Sequence, residues 1–285
     1  MNIKAYAKFN LTLDVKNKRG DGYHEISSLM QEISVCDDLS ILVKNAKNGN
    51  EVSIKCSDPE VPCDERNTCY KAVFAFFSYF GIKDRLVKIN IKKGIPLRSG
   101  LGGGSSDAAA VINALNKILK LDAPAEVLEK VAAEVGADVP FCVMCGTALV
   151  EGRGERITKL PDVPEIFFVV CKPDFSISTP ELYRAIDGEF IEKRPDHKAM
   201  IANLQKGDLL GVGGSLRNVF EPLVMKEHFD VNYIKSMMFT YGAYGAQMTG
   251  SGSAVFGVYD SFEYATVACT MLRDKYSQVY LATSV

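Results

Sequence analysis

The stretch Pro96-Leu97-Arg98-Ser99-Gly100-Leu101-Gly102-Gly103-Gly104-Ser105-Ser106-Asp107 interrupts the hydrophobic patterning of the chain and opens onto Ala108-Ala109-Ala110. Beyond it, Val111, Ile112, Leu115, Ile118 and Leu119 recur at helical spacing, which predicts a helix directly behind the glycines. Glycine admits positive φ and lets a ligand approach the backbone closely. A helix N-terminus adds unpaired N–H groups and a partial positive charge. Joined in this order, the two make a phosphate cradle. Ser105 and Ser106 can cap the helix, bind a phosphate oxygen or ligate Mg²⁺. Asp107 is in tension with this reading, because its carboxylate repels phosphate. Either it turns away or Mg²⁺ offsets it, so Ser106 and Asp107 are the candidate Mg²⁺ ligands. Neither a GxxxxGK[ST] loop nor a GxGxxG fingerprint occurs.

Upstream, residues 5–15 alternate as a strand. Ala5, Ala7, Phe9, Leu11, Leu13 and Val15 share one face, and Tyr6, Lys8, Asn10, Thr12 and Asp14 the other. Lys8 and Asn10 thus project together, about 7 Å apart by strand rise. A turn with Asp21-Gly22 follows, and Tyr23-His24 just past it offers a ring face and an imidazole suited to a planar base. Strands are expected at 32–35, 39–43, 52–56 and 87–91, and an apolar helix at 67–80.

Downstream, a helix is expected from about 125 to 135, with Pro124 before it and Gly136 as a stop. Asp138 follows in Gly136-Ala137-Asp138-Val139-Pro140. A composition change at 152–164 sets the expected domain boundary, giving domains 1–155 and 156–285. A buried-type strand at 166–171 opens the second half, which ends helix, strand, helix, strand at 231–241, 254–259, 261–276 and 278–282. A second Gly/Ser loop, Met248-Thr249-Gly250-Ser251-Gly252-Ser253, precedes the 254–259 strand. Strands and helices mix without strict alternation, which favours an α+β fold over a doubly wound parallel sheet.

Composition narrows the function classes. The chain has 285 residues, 47% hydrophobic and 24% charged, as in ordinary globular proteins. Its 33 basic and 35 acidic residues leave a net charge of −2, so it is not built to coat nucleic acid. No apolar run is long enough to span a membrane and no signal-peptide pattern opens the chain, so a cytoplasmic protein is expected. The eight cysteines are expected to be reduced, with Cys142 and Cys145 packing in the core; three histidines give no zinc-ligand spacing.

Lys-x-Asn-Leu-x-Leu at 8–13, Asp-Gly-Tyr-His at 21–24, the 96–109 loop, Gly-Ala-Asp-Val-Pro-Phe at 136–141 and Gly-Ser-Gly-Ser at 250–253 occur in this order along nearly the whole chain. Together they resemble the GHMP kinases. The resemblance implies a two-domain fold: an N-terminal domain like ribosomal protein S5 domain 2, a ferredoxin-like C-terminal domain and an active site in the cleft between them. It implies an ATP-dependent kinase. The 21–24 and 136–141 segments narrow the expectation to phosphorylation of the 2-hydroxyl of a cytidine diphosphate-linked polyol, in the non-mevalonate route to isoprenoids. By the same resemblance, Asp138 is the catalytic acid-base residue and Lys8 its partner. Pro96, Gly100, Leu101, Gly102, Gly103, Gly104, Ser105 and Ser106 form the ATP phosphate loop. Tyr23 stacks on the base and His24 bonds its edge. Tyr183, after Ser176-Ile177-Ser178-Thr179-Pro180, closes the other side, and Asn10 and Thr179 contact the polyol or its diphosphate. The implied cofactors are ATP and Mg²⁺, and the implied partners are small molecules only, with the chain a monomer or homodimer.

A carboxylate is far too weak a base to ionise an alcohol beforehand, so Asp138 is expected to take the proton late in transfer. Other readings stay open at this point. They are a homoserine or mevalonate kinase, a decarboxylase of the same fold, a non-catalytic nucleotide-binding regulator and a hydrolase using Ser106. The last lacks a GxSxG elbow.

Overall fold

The computed structural model describes residues 1–161 and 163–285. In chain order the elements begin β1 (Asn2–Lys18), β2 (His24–Asn45), β3 (Glu51–Cys56), α1 (Thr68–Phe80), β4 (Arg85–Lys92), α2 (Gly103–Ile118), α3 (Ala125–Ala133) and α4 (Val139–Met144). They continue β5 (Thr147–Gly152), β6 (Arg156–Lys159), β7 (Phe167–Lys172), α5 (Thr179–Ala185), α6 (His197–Lys206), α7 (Leu209–Ser215), β8 (Arg217–Asn218) and α8 (Glu221–Glu227). The chain ends α9 (Phe229–Thr240), β9 (Gly245–Met248), β10 (Val255–Tyr259), α10 (Phe262–Arg273) and β11 (Gln278–Thr283). No helix among the described residues is long and apolar enough to cross a membrane.

The chain packs as two compact units that do not follow chain order. One comprises Met1–Lys8, Cys36–Ile95 and Gly102–Cys145; the other comprises Phe9–Val35, Pro96–Leu101 and Gly146–Val285. Both β1 and β2 contribute to each unit, so packing divides the chain elsewhere than at residue 155.

In the first unit, β3 runs parallel to β4, and β4 runs antiparallel to Asp38–Asn45 of β2. Val87, Ile89 and Ile91 are buried while Lys88, Asn90 and Lys92 are exposed, the period-two signature of a half-covered sheet. Helix α1 starts where Asn67 accepts a hydrogen bond from the Cys69 N–H, and stops at Gly81 in the left-handed region. Its buried stripe includes Val73, Phe76 and Phe77, and it packs on α2, which packs on α4.

In the second unit, β5 is antiparallel to Ile26–Gln31 of β2, and β8 is parallel to Thr12–Leu13 of β1. A four-stranded antiparallel sheet has the order β11-β7-β10-β9, covered by α9 and α10. Its core includes Val169, Ile234, Met238, Val255 and Tyr259. Phe9 stacks on Phe256 at 4.1 Å and meets Phe168 edge-on at 4.7 Å.

One local expectation differs from the structure. The runs at 32–35 and 39–43 are one continuous strand. The Asp37-Asp38 pair between them reads as a break, but Asp37 is buried and fully bonded, accepting from Gly94 N at 2.6 Å and Ile95 N at 2.8 Å. On the polar face of β1, Lys8, Asn10, Thr12 and Asp14 are buried. Thr12 Oγ1 therefore bonds His197 Nδ1 at 2.8 Å, and Asp14 pairs with Arg194 at 2.5 Å, because buried polar groups require partners.

Candidate active site

The glycine loop enters its helix without a side-chain cap. Gly102 is the N-cap of α2, with φ 72, and no side chain bonds the first free N–H groups. Ser105 and Ser106 lie inside the first turn, so they are not caps. The exposed Gly104 and half-buried Gly103 and Ser105 leave the helix start open to an anion. A Cβ on Gly102 would come within 3.0 Å of the Lys8 side chain, which runs beneath the loop. The Pro96 carbonyl accepts from Ser99 Oγ at 2.7 Å, and Leu101 is fully buried. Gly100 has φ 81, and a Cβ there would collide with the Thr249 carbonyl oxygen.

Lys8 and Asp138 meet. Nζ of Lys8 lies 3.3 Å from Oδ2 of Asp138, with the lysine buried and about a third of the carboxylate side chain exposed (33%). Asp138 is the N-cap of α4, where Pro140 locks the first turn. The acid is thereby held at a helix start with an ammonium beside it, and part of its carboxylate stays exposed.

Ser106 and Asp107 point inward. Ser106 Oγ donates to the Tyr6 carbonyl at 2.6 Å. Asp107 lies 2.9 Å from Lys93 Nζ, and Lys93 also pairs with Asp37. Burial pushes the Asp107 carboxyl up to about 7, against the Lys93 charge, which lowers it. Its Oδ1 has no hydrogen-bond partner. A cation at that oxygen would face the Lys93 ammonium and would have to shed its water, which Mg²⁺ does reluctantly. These two residues therefore do not fit as direct Mg²⁺ ligands. No cluster of three or more His, Cys, Asp or Glu among the described residues forms another metal site. Lys93 and Asp37 carry no local motif; only folding brings them under α2.

The second unit holds the other expected residues. His24 is buried, and its Nε2 lies 2.7 Å from Asp187 Oδ1. The His24 bond, and then Lys18, hold the Asp187 carboxyl below its usual range. That ring nitrogen is thus already engaged by Asp187. Tyr183 sits 5.2 Å from the His24 ring. Tyr23 is 57% exposed, and the Arg153 guanidinium lies 4.2 Å over its ring. A planar group stacking on Tyr23 would lie opposite Arg153 or displace it. Thr179 Oγ1 lies 2.7 Å from Ser251 Oγ, so the Thr179 motif and the second Gly/Ser loop meet. Asn10 is buried: Nδ2 donates to Ser28 Oγ at 2.7 Å, and its N–H donates to Thr249 Oγ1 at 3.0 Å. Asp187 and Arg153 are the functional candidates sequence reasoning missed. Both are ordinary charged surface residues by type, and 163 positions separate Asp187 from His24.

A glycine loop heading a helix, with a lysine–aspartate pair beside it, defines the site of a small-molecule kinase. The N-terminal domain model of the GHMP kinases matches residues 67–146 and the C-terminal model matches residues 200–278. The chain belongs to the GHMP kinases and is a phosphotransferase. Among its relatives, 4-diphosphocytidyl-2-C-methyl-D-erythritol kinase of Clostridium perfringens (strain ATCC 13124 / DSM 756 / JCM 1290 / NCIMB 6125 / NCTC 8237 / Type A) is 42% identical over 287 residues, covering 100% of this chain and 98% of that one. The enzyme of the same name from Clostridium botulinum (strain Eklund 17B / Type B) is 39% identical over 285 residues, covering 100% of both. A crystal structure of 4-(cytidine 5'-diphospho)-2C-methyl-D-erythritol kinase superposes with a TM-score of 0.83 at 30% identity, covering 100% of this chain and 99% of the other.

Proposed function

We propose that this kinase transfers the γ-phosphoryl group of ATP to the 2-hydroxyl of 4-diphosphocytidyl-2-C-methyl-D-erythritol, in isoprenoid precursor biosynthesis in the cytoplasm. The observation that carries the mechanism is the Lys8–Asp138 pair at 3.3 Å. Phosphoryl transfer passes through a loose transition state, so positioning and charge neutralisation outweigh proton abstraction. Asp138 accepts the hydroxyl proton late, as bonding to phosphorus develops. Lys8 orients the acceptor and offsets charge gathering on the transferred group. The Gly100–Ser106 loop and the uncapped start of α2 receive the phosphates of ATP. Mg²⁺ arrives as part of the nucleotide substrate, since Ser106 and Asp107 face inward.

The cytidine end is read by Tyr23, His24 and Tyr183. Asp187 Oδ1, 2.7 Å from His24 Nε2, fixes the imidazole plane between its neighbours. Thr179 serves the polyol or diphosphate, and Asn10 acts from within its buried network. The proposed domains are residues 1–155 and 156–285; the two family models cover residues 67–146 and 200–278, on either side of that boundary.

The test is ADP release from Mg-ATP with the cytidyl substrate, beside the same polyol phosphate lacking the cytidyl group. Turnover with the cytidyl compound alone supports both the kinase and its base site. Turnover with both discards the base-reading residues. Turnover with neither sends the assignment to another GHMP kinase substrate.

A further inference from the structure

Segment Asn218-Val219-Phe220-Glu221 carries no recognised chemistry in the sequence, yet it binds both parts of the second unit's site. Asn218 ends the two-residue strand β8, pinned where Val219 N donates to Leu13 O at 3.1 Å. It is 2% exposed and every polar group of its amide is used. Nδ2 donates to the carbonyls of Met248 and Gly250, both at 2.8 Å, and Oδ1 accepts from Phe220 N at 3.0 Å. Those two carbonyls flank Thr249 and lead into Ser251, the partner of Thr179. Glu221 adds a third tie, accepting from Met248 N at 2.6 Å while paired with Lys235. Phe220, also buried, meets the Tyr183 ring edge-on at 4.9 Å, on a ring that in turn neighbours His24.

We infer that Asn218 and Phe220 are positioning residues for the substrate: Asn218 sets the Met248–Ser251 loop against Thr179, and Phe220 sets the plane of Tyr183 against the base. An amide suits the first task because only a side chain with two N–H donors and one acceptor satisfies two carbonyls and one amide at once. An aromatic ring suits the second because an edge-to-face contact fixes orientation as well as distance. The inference rests on the cytidyl reading of this site.

The test begins with calorimetric binding of CDP to the native chain, Phe220→Leu, Tyr183→Leu and the double variant. Phe220→Leu is expected to weaken CDP about three- to tenfold. The double variant should bind no worse than Tyr183→Leu alone, because Phe220 acts through that ring. The KM for ATP should stay at the native value in Phe220→Leu. Additive losses, or an equal loss for ATP, would mark Phe220 as merely structural and overturn its role. Asn218→Asp removes both donors at constant shape. It should leave CDP binding near native and lower kcat about a hundredfold through displacement of the loop. A native kcat in a folded Asn218→Asp overturns the loop half. Absence of CDP binding by the native chain overturns the cytidyl reading itself, a result distinct from either failure.

Discussion

Lys8 Nζ stands 3.3 Å from Asp138 Oδ2, and the two come from opposite ends of the first unit's sequence: a strand that opens the chain and the first residue before α4. Burial of the ammonium keeps this contact dry on one side, while one edge of the carboxylate is exposed. In the proposed mechanism this pair serves the transition state more than the bound nucleotide. Replacing Asp138 by Asn keeps shape and removes the proton acceptor. We expect kcat to fall by about two to four orders of magnitude. ATP affinity, measured by calorimetry, should remain native. Parallel losses of binding and turnover would make the residue structural.

Gly102 is the hinge between loop and lysine. Its φ of 72 strains any other residue, and a Cβ would press on Lys8 at 3.0 Å. Gly102→Ala should cost about 1–3 kcal/mol in stability from backbone strain alone. It should lower kcat further by pushing Lys8 off Asp138. Thermal unfolding and steady-state kinetics on one preparation separate the two effects. A variant with native kcat would sink the idea that Lys8 is held by the loop.

Asp107 provides a pH test. Burial raises its folded carboxyl from 3.8 to about 7, so the folded state binds that proton more tightly than the unfolded chain does. Its stabilising contribution is full below pH 3.8 and fades as pH rises through about 7. Between pH 5.5 and 8, native Tm should therefore fall more steeply than that of Asp107→Asn, whose amide does not titrate. Parallel Tm profiles would show that Lys93 holds the carboxylate charged throughout.

Asp187 has the opposite sign. The His24 bond lowers its carboxyl, so its grip on His24 is full above 3.8 and fails only as pH falls through the depressed folded value. Asp187→Ala frees the imidazole. The KM for the cytidyl substrate should rise about tenfold, the scale of a lost charge-assisted hydrogen bond. The KM for ATP should hold. A change in the ATP constant would place Asp187 outside the base site.

Local chemistry made much of this protein legible from its sequence. The glycine run followed by alanines and a helical apolar stripe declares the phosphate-loop helix, because φ freedom and periodicity are properties of neighbouring residues. The apolar helix expected at 67–80, observed at Thr68–Phe80, is legible for the same reason, and the ordered motifs identify the kinase family. Contacts over long separations depended on tertiary structure. The continuity of β2 through Asp37-Asp38 required Lys93 and two backbone N–H groups from 56 to 58 residues away. The inward turn of Asp107 and the burial of Lys8, Asn10, Thr12 and Asp14 on β1 likewise depend on what packs against them. The His24–Asp187 bond and the grip of Asn218 on the 248–250 loop join residues whose types are common and whose spacing has no period. A single sequence carries no local signal for such pairs, since their energy exists only once the chain has closed the distance.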